Sequence, residues 1–367
     1  MREVFMIRQK RTEFSVFVLI AIALWLMAYS LVMTERTMET VRGALRVFVF
    51  SVLPSLAVFS VCSKLLLKSG VVRRLRLGVF FGVAKTLGIS EGGFLAFLLG
   101  LVAGFPTGAS ILSELYAKGE ITRTEAESLL PFCNQASAAF LFGTVGAGIL
   151  DDRRAGFIFF AAQTVTAVVC LCMTAGKRRG CEKLVSRAAA PHTSFVSALT
   201  SAIGESASSM LGVCGFIVFF SLLLAAVFDT LSAIGFPMNA WLAAAFGGFL
   251  EISSGFIALS ECAFSDGVTY ALGGMLLGFG GVSVFIQAAD RTEAFFYAPL
   301  KYFEGKCMSS IICPLFSLIF FFLYGLENGK FLIIVTGMLS ICFFYLLNCV
   351  KIKFFSKKCG KIERNAV

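Results

Sequence analysis

The chain alternates long apolar runs with short polar ones. Eight runs approach the twenty or so apolar residues that a helix needs to cross a bilayer: 14–33, 46–67, 132–150, 155–175, 210–231, 268–289, 309–325 and 331–350. Two more, 93–117 and 240–262, are interrupted. The first of these holds LGLVAGFPTGASIL, Leu99 to Leu112, with Gly104, Pro106 and Gly108 at its middle. Proline removes a backbone donor and clashes with the preceding turn, and glycine loosens the chain on either side. The pattern predicts an all-α polytopic membrane protein of about eight transmembrane helices with two broken segments.

Charge indicates what the broken segments do. Basic residues collect in cytoplasmic loops. The N-terminus has Arg2, Arg8, Lys10 and Arg11 against Glu3, and two spans later come Lys68, Arg73, Arg74 and Arg76. The next basic loop holds Lys177, Arg178, Arg179, Lys183 and Arg187. It returns to the cytoplasm only if 93–117 dips in and leaves by the same side. The tail, with Lys351, Lys353, Lys357, Lys358, Lys361 and Arg364, ends inside only if 240–262 does likewise from the other face. Both are therefore read as re-entrant hairpins, with N- and C-termini cytoplasmic.

This order exposes a repeat. Residues 46–175 form one set with hairpin 93–117, and residues 209–325 form another with hairpin 240–262. Residues 1–45 hold the N-terminal tail and first span, 176–208 a basic cytoplasmic linker, and 326–367 the last span and basic tail. FLLGLVAGFPTGASIL at 97–112 aligns with AAFGGFLEISSGFIAL at 244–259, matching Gly100 with Gly247, Gly108 with Gly255 and Leu112 with Leu259. Inverted repeats with broken helices mark secondary transporters, whose site lies at the repeat interface near mid-membrane.

Composition agrees. Of 367 residues 58% are hydrophobic and 15% charged, and the mean hydropathy is +0.87. No soluble domain buries that much apolar surface. The net charge of +10 follows from the cytoplasmic loops and calls for no nucleic acid. Twelve cysteines are scattered through apolar runs without a C-x-x-C, and His192 stands alone. They read as buried thiols in a reducing setting, with no metal site. The run 14–33 is long for a signal-peptide core and lacks a small-residue cleavage site, so it reads as a retained span.

Broken backbone at bilayer depth needs protein or a water-filled cavity to satisfy it. Helix N-termini there offer free N–H groups to anions and polar solutes. Hairpin 1 offers Pro106, Thr107, Gly108 and Ser110, as a solute site or as a tight packing corner. Gly119 can cap the following turn, and Thr122 with Glu125, or Thr124 with Glu127, can start the next helix as a capping box. Pro131 then precedes Asn134 and Gln135, an amide pair at a second unwound point that either contacts solute or bonds neighbouring helices. Hairpin 2 carries Glu251, followed by Ser253 and Ser254. A carboxylate in the membrane is by default a functional candidate. LLGFGGVSVFIQAAD supplies Gly280, Gly281, Ser283 and Gln287 at a third break. The pairs Asp152-Arg153 and Asp290-Arg291 end equivalent spans, as gate latches or as boundary charges. No G-x-x-x-x-G-K-S/T, H-E-x-x-H or G-x-S-x-G is present, so the residues suggest neither an ATP-driven pump nor an enzyme.

AGFPTGASILSELYAKGEITRTEAESLLPFCNQAS resembles the nucleoside-recognition or gate domain of bacterial membrane proteins. The shared pattern is a G-F/Y-P-x-G hairpin, a K-G-E-I-T turn and F-C-N. With GFLEISSGF and LLGFGGVSVFIQ, the region from about 45 to 325 is most similar to sporulation integral membrane proteins of the YlbJ type. Gln135 and Ala136 depart from the pattern after F-C-N. The resemblance implies a fold similar to concentrative nucleoside transporters and a place in the membrane around the forespore. It further implies carriage of dipicolinate, a small planar dianion. The expected partners are a small polar or anionic solute, the bilayer and other sporulation membrane proteins. No cofactor is expected, and a coupling H+ or Na+ is left open. The alternatives are a nucleoside carrier of the same fold and a non-transporting spore-envelope protein.

Overall fold

The computed structural model describes residues 2–68, 84–85, 87–175, 194–292, 295 and 299–325, and side chains from residue 16 onward with Ser55 excepted. Every regular element among them is helical. The span expected at 331–350, the basic tail and His192 lie outside the described residues.

Helix α1 (Arg2–Val32) ends in a bend of 107°. The bend sets apart α2 (Thr34–Val47), whose sequence TERTMETVRGALRV is polar on one face and apolar on the other. A wide π-helical turn, π1 (Phe48–Val52), leads into α3 (Leu53–Lys68). The expected span 46–67 is therefore a π turn followed by a helix. Hairpin 1 comprises α4 (Glu91–Ala103) and α5 (Thr107–Ala117). Helix α6 (Arg123–Cys133) stops at a break, and the chain resumes through π2 (Phe140–Ile149). Helix α7 (Arg153–Thr174) and the 39-residue α8 (Phe195–Ala233) follow. Helix α8 thus takes over the C-terminal part of the expected linker 176–208.

Hairpin 2 comprises α9 (Ala240–Leu250) and α10 (Ile252–Ser260). Helices α11 (Asp266–Phe279) and α12 (Val282–Arg291) are separated by Gly280-Gly281. Last comes α13 (Pro299–Tyr324), which starts ten residues before the expected 309 because PLKYFEGKCM continues the helix despite its charges.

Among the described residues, α7, α8, the α11–α12 pair and α13 are long and apolar enough to span a membrane, and the bent α1–α2 pair makes up to five. Large apolar side chains stand exposed on α1, α8 and α13, among them Phe17, Leu31, Leu211, Ile311 and Phe322. In water such a surface would be unstable. Against lipid it is the expected exterior.

Caps fix the helix ends. Ser90 Oγ accepts from Gly93 N–H (3.0 Å), Thr122 Oγ1 from Glu125 N–H (3.2 Å), and Asn239 Oδ1 from Leu242 N–H (3.0 Å). Each satisfies an N–H that the helix leaves open. Of the two capping boxes read in the sequence, the one at Thr122 caps α6 through Glu125 N–H, while the Glu125 carboxylate accepts from Ser90 N–H at the start of hairpin 1, and Gly119 takes positive φ (69°) at its end. Asp152 caps α7 through Arg154 N–H (2.9 Å) and accepts from Tyr270 of α11 (2.7 Å). It is therefore a joint between helices. Its counterpart Asp290 pairs with Arg291 (3.3 Å).

Two apolar cores support these elements. One joins hairpin 1 to α6 and the middle of α7, through Phe97, Leu112, Leu129 and Leu171. The other joins hairpin 2 to π2, α8 and α11, through Phe140, Phe159, Phe256 and Leu277. Helix α13 reaches both, with Tyr302 in the first and Cys313 and Phe320 in the second.

Candidate functional site

The tip of hairpin 1 is built by close backbone approach. Cβ atoms at Gly100 and Gly108 would both collide with the carbonyl oxygen of Cys133, the last residue of α6. Gly104, at φ 72°, would set a Cβ 2.5 Å from Ser137 N. A side chain there is excluded by conformation and by space alike. Phe105 N–H donates to the Gln135 carbonyl at 2.8 Å. The hairpin tip therefore sits directly on the non-helical segment 134–137. Gly108→Ala is expected to destabilise the protein by about 1–3 kcal/mol through overpacking, read as a lowered unfolding temperature in detergent. An unchanged value would contradict this contact.

Hairpin 2 repeats the arrangement on the third break. A Cβ at Gly281, which has φ 90°, would lie 3.2 Å from the Leu250 carbonyl oxygen. A Cβ at Gly247 would lie 3.3 Å from Gly255 N across the hairpin. The glycines matched between the two halves thus all occupy tight backbone contacts, Gly100 and Gly108 against Cys133 of α6, and Gly247 and Gly255 between the arms of hairpin 2. Glu251 separates the arms in extended backbone (φ −147°, ψ 126°). Its Oε2 accepts from Ser254 N–H (2.8 Å) and Ser254 Oγ (3.2 Å). The carboxylate therefore caps the half-helix α10, at the end where its charge is favoured.

Both tips line one small cavity. Phe105 of hairpin 1, Ser137 of the first break, Glu251 and Ser253 of hairpin 2, and Gln287 of α12 face it, closed by Val52, Leu56, Phe140, Val213 and Ile217. Its volume is about 20 Å³, room for a single water. Gln287 Nε2 donates to Ser283 Oγ (3.0 Å), and its Oε1 is buried without a partner. The surface that faces the void is mostly apolar, with Glu251, Ser253, Ser137 and Gln287 at its border, and a mostly apolar pocket with a few polar groups is the usual make-up of a small-solute site.

Of the residues singled out in the sequence, Glu251, Ser253 and Gln287 are brought together here. Ser254 and Ser283 stand behind them as hydrogen-bond partners. Pro106, Thr107 and Gly108 are buried in the seat of hairpin 1. Gly280 takes φ 85° at the end of α11. Ser110 is turned away, bonds the Pro106 carbonyl (3.3 Å) and opens into a separate cleft. Gln135 is buried, and its side chain donates back to the Pro131 carbonyl (3.4 Å).

Asn134 belongs to a cluster that includes residues not singled out in the sequence. Its Nδ2 donates to Tyr302 Oη at 3.1 Å, and its backbone carbonyl accepts from Lys306 Nζ at 2.8 Å. Lys306 is 2% exposed, with its ammonium 5.7 Å from the Tyr302 ring centroid. It occupies the C-terminal end of α6, where unpaired carbonyls favour a cation. A Cβ on Gly280 would lie 3.9 Å from the same Nζ. One ammonium thus touches the first break and borders the third. Gln163 of α7 supports the first break from the other side, donating to the Ala136 carbonyl at 2.7 Å. Tyr302, Lys306, Ser309, Cys313 and Ser317 recur at helical spacing on one face, a stripe that is visible only once the helix is known to begin at Pro299.

The same α6–α13 contact continues outward. Gly305 leaves room for the Pro131 ring, and Lys301 meets Glu127 at 2.8 Å. Burial by itself would raise the Glu127 carboxyl, but hydrogen bonds from Lys301 and Arg123 hold it below its ordinary value. The pair contributes at neutral pH, and its contribution disappears as pH falls below the ordinary glutamate value of about 4.3 and through the lowered one. Glu127→Gln should cost about 1 kcal/mol near pH 7, since both cations are half exposed. The gap from wild type should narrow on acidification, and a gap independent of pH would rule out the pairing.

These features define a polytopic α-helical membrane protein in which two hairpins and two broken helices meet at one small buried cavity. The chain is similar to the sporulation integral membrane protein YlbJ of Bacillus subtilis (strain 168), 29% identical over 292 residues, 68% of this chain and 70% of that protein. The resemblance read from the hairpin and F-C-N motifs is borne out. No family model matches the chain. Among solved structures it is similar to the concentrative nucleoside transporter CNTnw in an inward-facing substrate-bound state, with TM-score 0.48, 17% identity, and 88% of this chain and 86% of that chain covered. A variant of CNTnw in an intermediate state gives TM-score 0.49 at 15% identity, covering 84% and 87%. At these values the likeness carries nothing about what this chain binds.

Proposed function

We propose that the protein is a secondary carrier of sporulation that moves a small polar or anionic solute by alternating access. The observation that carries this reading is the convergence of both hairpin tips and the half-helix α12 on one small buried cavity bordered by Glu251, Ser253 and Gln287. A packing corner would need no Glu251, Ser253 and Gln287 around a common void. The cavity is too small for an organic solute, so the tips must part to admit one. The non-helical break at 134–137 and the Gly280-Gly281 break are the natural places to flex.

In this reading the hairpins are re-entrant and enter from opposite faces, within repeats 46–175 and 209–325. Both termini are cytoplasmic, and the membrane is that around the forespore. Single cysteines replacing Glu120 and Ser265, in a cysteine-depleted protein, should label from opposite sides of sealed vesicles. Labelling from one side would break the inverted-repeat arrangement.

Dipicolinate is the solute proposed from the resemblance. A nucleoside is the second reading, favoured by the open Gln287 Oε1 and the Glu251 carboxylate, which accept hydrogen bonds. Uptake of labelled dipicolinate into proteoliposomes, competed by pyridine dicarboxylates and by uridine, separates the two. Competition by uridine alone would favour the nucleoside. No uptake of either would point to a non-transporting role in spore-envelope assembly.

A further inference from the structure

A wider cleft, of about 460 Å³, lies beside the central cavity, walled by α3, α5, α8 and the end of α12. The two spaces share their walls. Arg291 of the cleft follows Gln287 of the cavity by one helical turn, and Lys64 follows Leu56 by about two. Ser110 stands one turn past the tip of hairpin 1. At 1.5 Å per residue the two spaces are about 6–12 Å apart. By the positive-inside reading, the cleft is on the cytoplasmic side.

Its charge is not balanced. Glu205 is held by Lys68 at 2.7 Å and Glu114 by Lys118 at 2.6 Å. Two cations remain. Lys64 is 6% exposed, and its hydrogen bond goes to a neutral hydroxyl, Ser209 Oγ, at 3.2 Å. Arg291 has only the neighbouring Asp290, itself more than half exposed, at 3.3 Å. A buried ammonium without a carboxylate is unfavourable unless an anion joins it. Lys64, which is buried, and Arg291, which is 28% exposed, face one cleft and bias its potential positive. Hydroxyls of Ser110, Ser113 and Ser208 add donors, and the volume is in the range of small-solute sites.

We propose that this cleft is a docking site for a small dicarboxylate, with Lys64 and Arg291 each taking one carboxylate before the solute moves to the central cavity. The proposal builds on the carrier reading, and it resolves a mismatch in that reading: the acceptor-rich cavity around Glu251 does not itself attract a dianion.

The test uses Ser113→Cys in an otherwise cysteine-depleted full chain, in phosphatidylcholine vesicles. A negatively charged methanethiosulfonate should modify residue 113 about tenfold faster than a positively charged one, as a focusing field requires. Dipicolinate should slow the reaction. Raising the ionic strength to 1 M should erase the preference, which needs no further variant. Adding Lys64→Met and Arg291→Met should abolish both the preference and the protection. Equal rates for the two reagents, or no protection by dipicolinate, would overturn the proposal. So would protection by phosphatidylglycerol that dipicolinate does not compete with, since the occupant would then be a lipid headgroup. The charge preference requires no transport, so its persistence without uptake of any solute would sink the carrier reading alone.

Discussion

Lys306→Ala is expected to destabilise the folded protein by about 3 kcal/mol or more. The substitution leaves the Asn134 carbonyl unpaired in a fully buried site, worth about 1–3 kcal/mol. It also empties the volume of a four-carbon stem, which adds a cavity cost. Lys306→Met refills most of that volume and loses only the hydrogen bond, so it should fall between alanine and wild type. The ordering arises because Lys306 bonds the first break at 2.8 Å and lies beside Gly280 of the third. Unfolding temperatures of the three proteins in detergent measure it. An alanine variant within about 0.5 kcal/mol of wild type, the range of ordinary surface changes, would show that α13 does not hold the breaks together.

Glu251→Gln is expected to weaken solute binding by about ten- to a hundredfold, the value of a hydrogen bond to a charged group. Folding should survive. The glutamine oxygen can still accept from Ser254 N–H and keep α10 capped, and loss of such a cap costs only about 0.5–2 kcal/mol. Glu251→Ala should lose both cap and binding. A Glu251→Gln protein that is folded and binds as wild type does would assign this carboxylate to capping alone.

The broken helices were legible because they violate the pattern around them. Gly-Phe-Pro-Thr-Gly and Gly-Phe-Gly-Gly cannot continue an apolar helix, and each lies within two residues of an observed break. Glu251 was legible for a related reason, as a charge within an apolar run. Lys306 was hidden by its neighbours. Lys301, Glu304 and Lys306 read together as a boundary, because nothing local shows that the helix has already begun at Pro299. Only the inward face of α13, set by contact with α6 and α11, separates exposed Lys301 and Glu304 from buried Lys306. Ser110 failed differently. It is near the hairpin tip in sequence, but the rise of about 6 Å over one helical turn carries it away from the cavity to the wall of the cleft. The seat of the hairpin on residues 133–137 is a long-range backbone contact, and no spacing rule announces it.

Binding of dipicolinate, with uridine as rival, to purified wild-type protein and to Glu251→Gln and Gln287→Leu decides whether a solute sits between the two hairpin tips. The account predicts a ligand-specific rise in unfolding temperature for wild type, lost in both variants while their unliganded stability stays near wild type. A folded wild-type protein that neither solute stabilises, or a rise that survives in both variants, would contradict a solute site between the two hairpin tips.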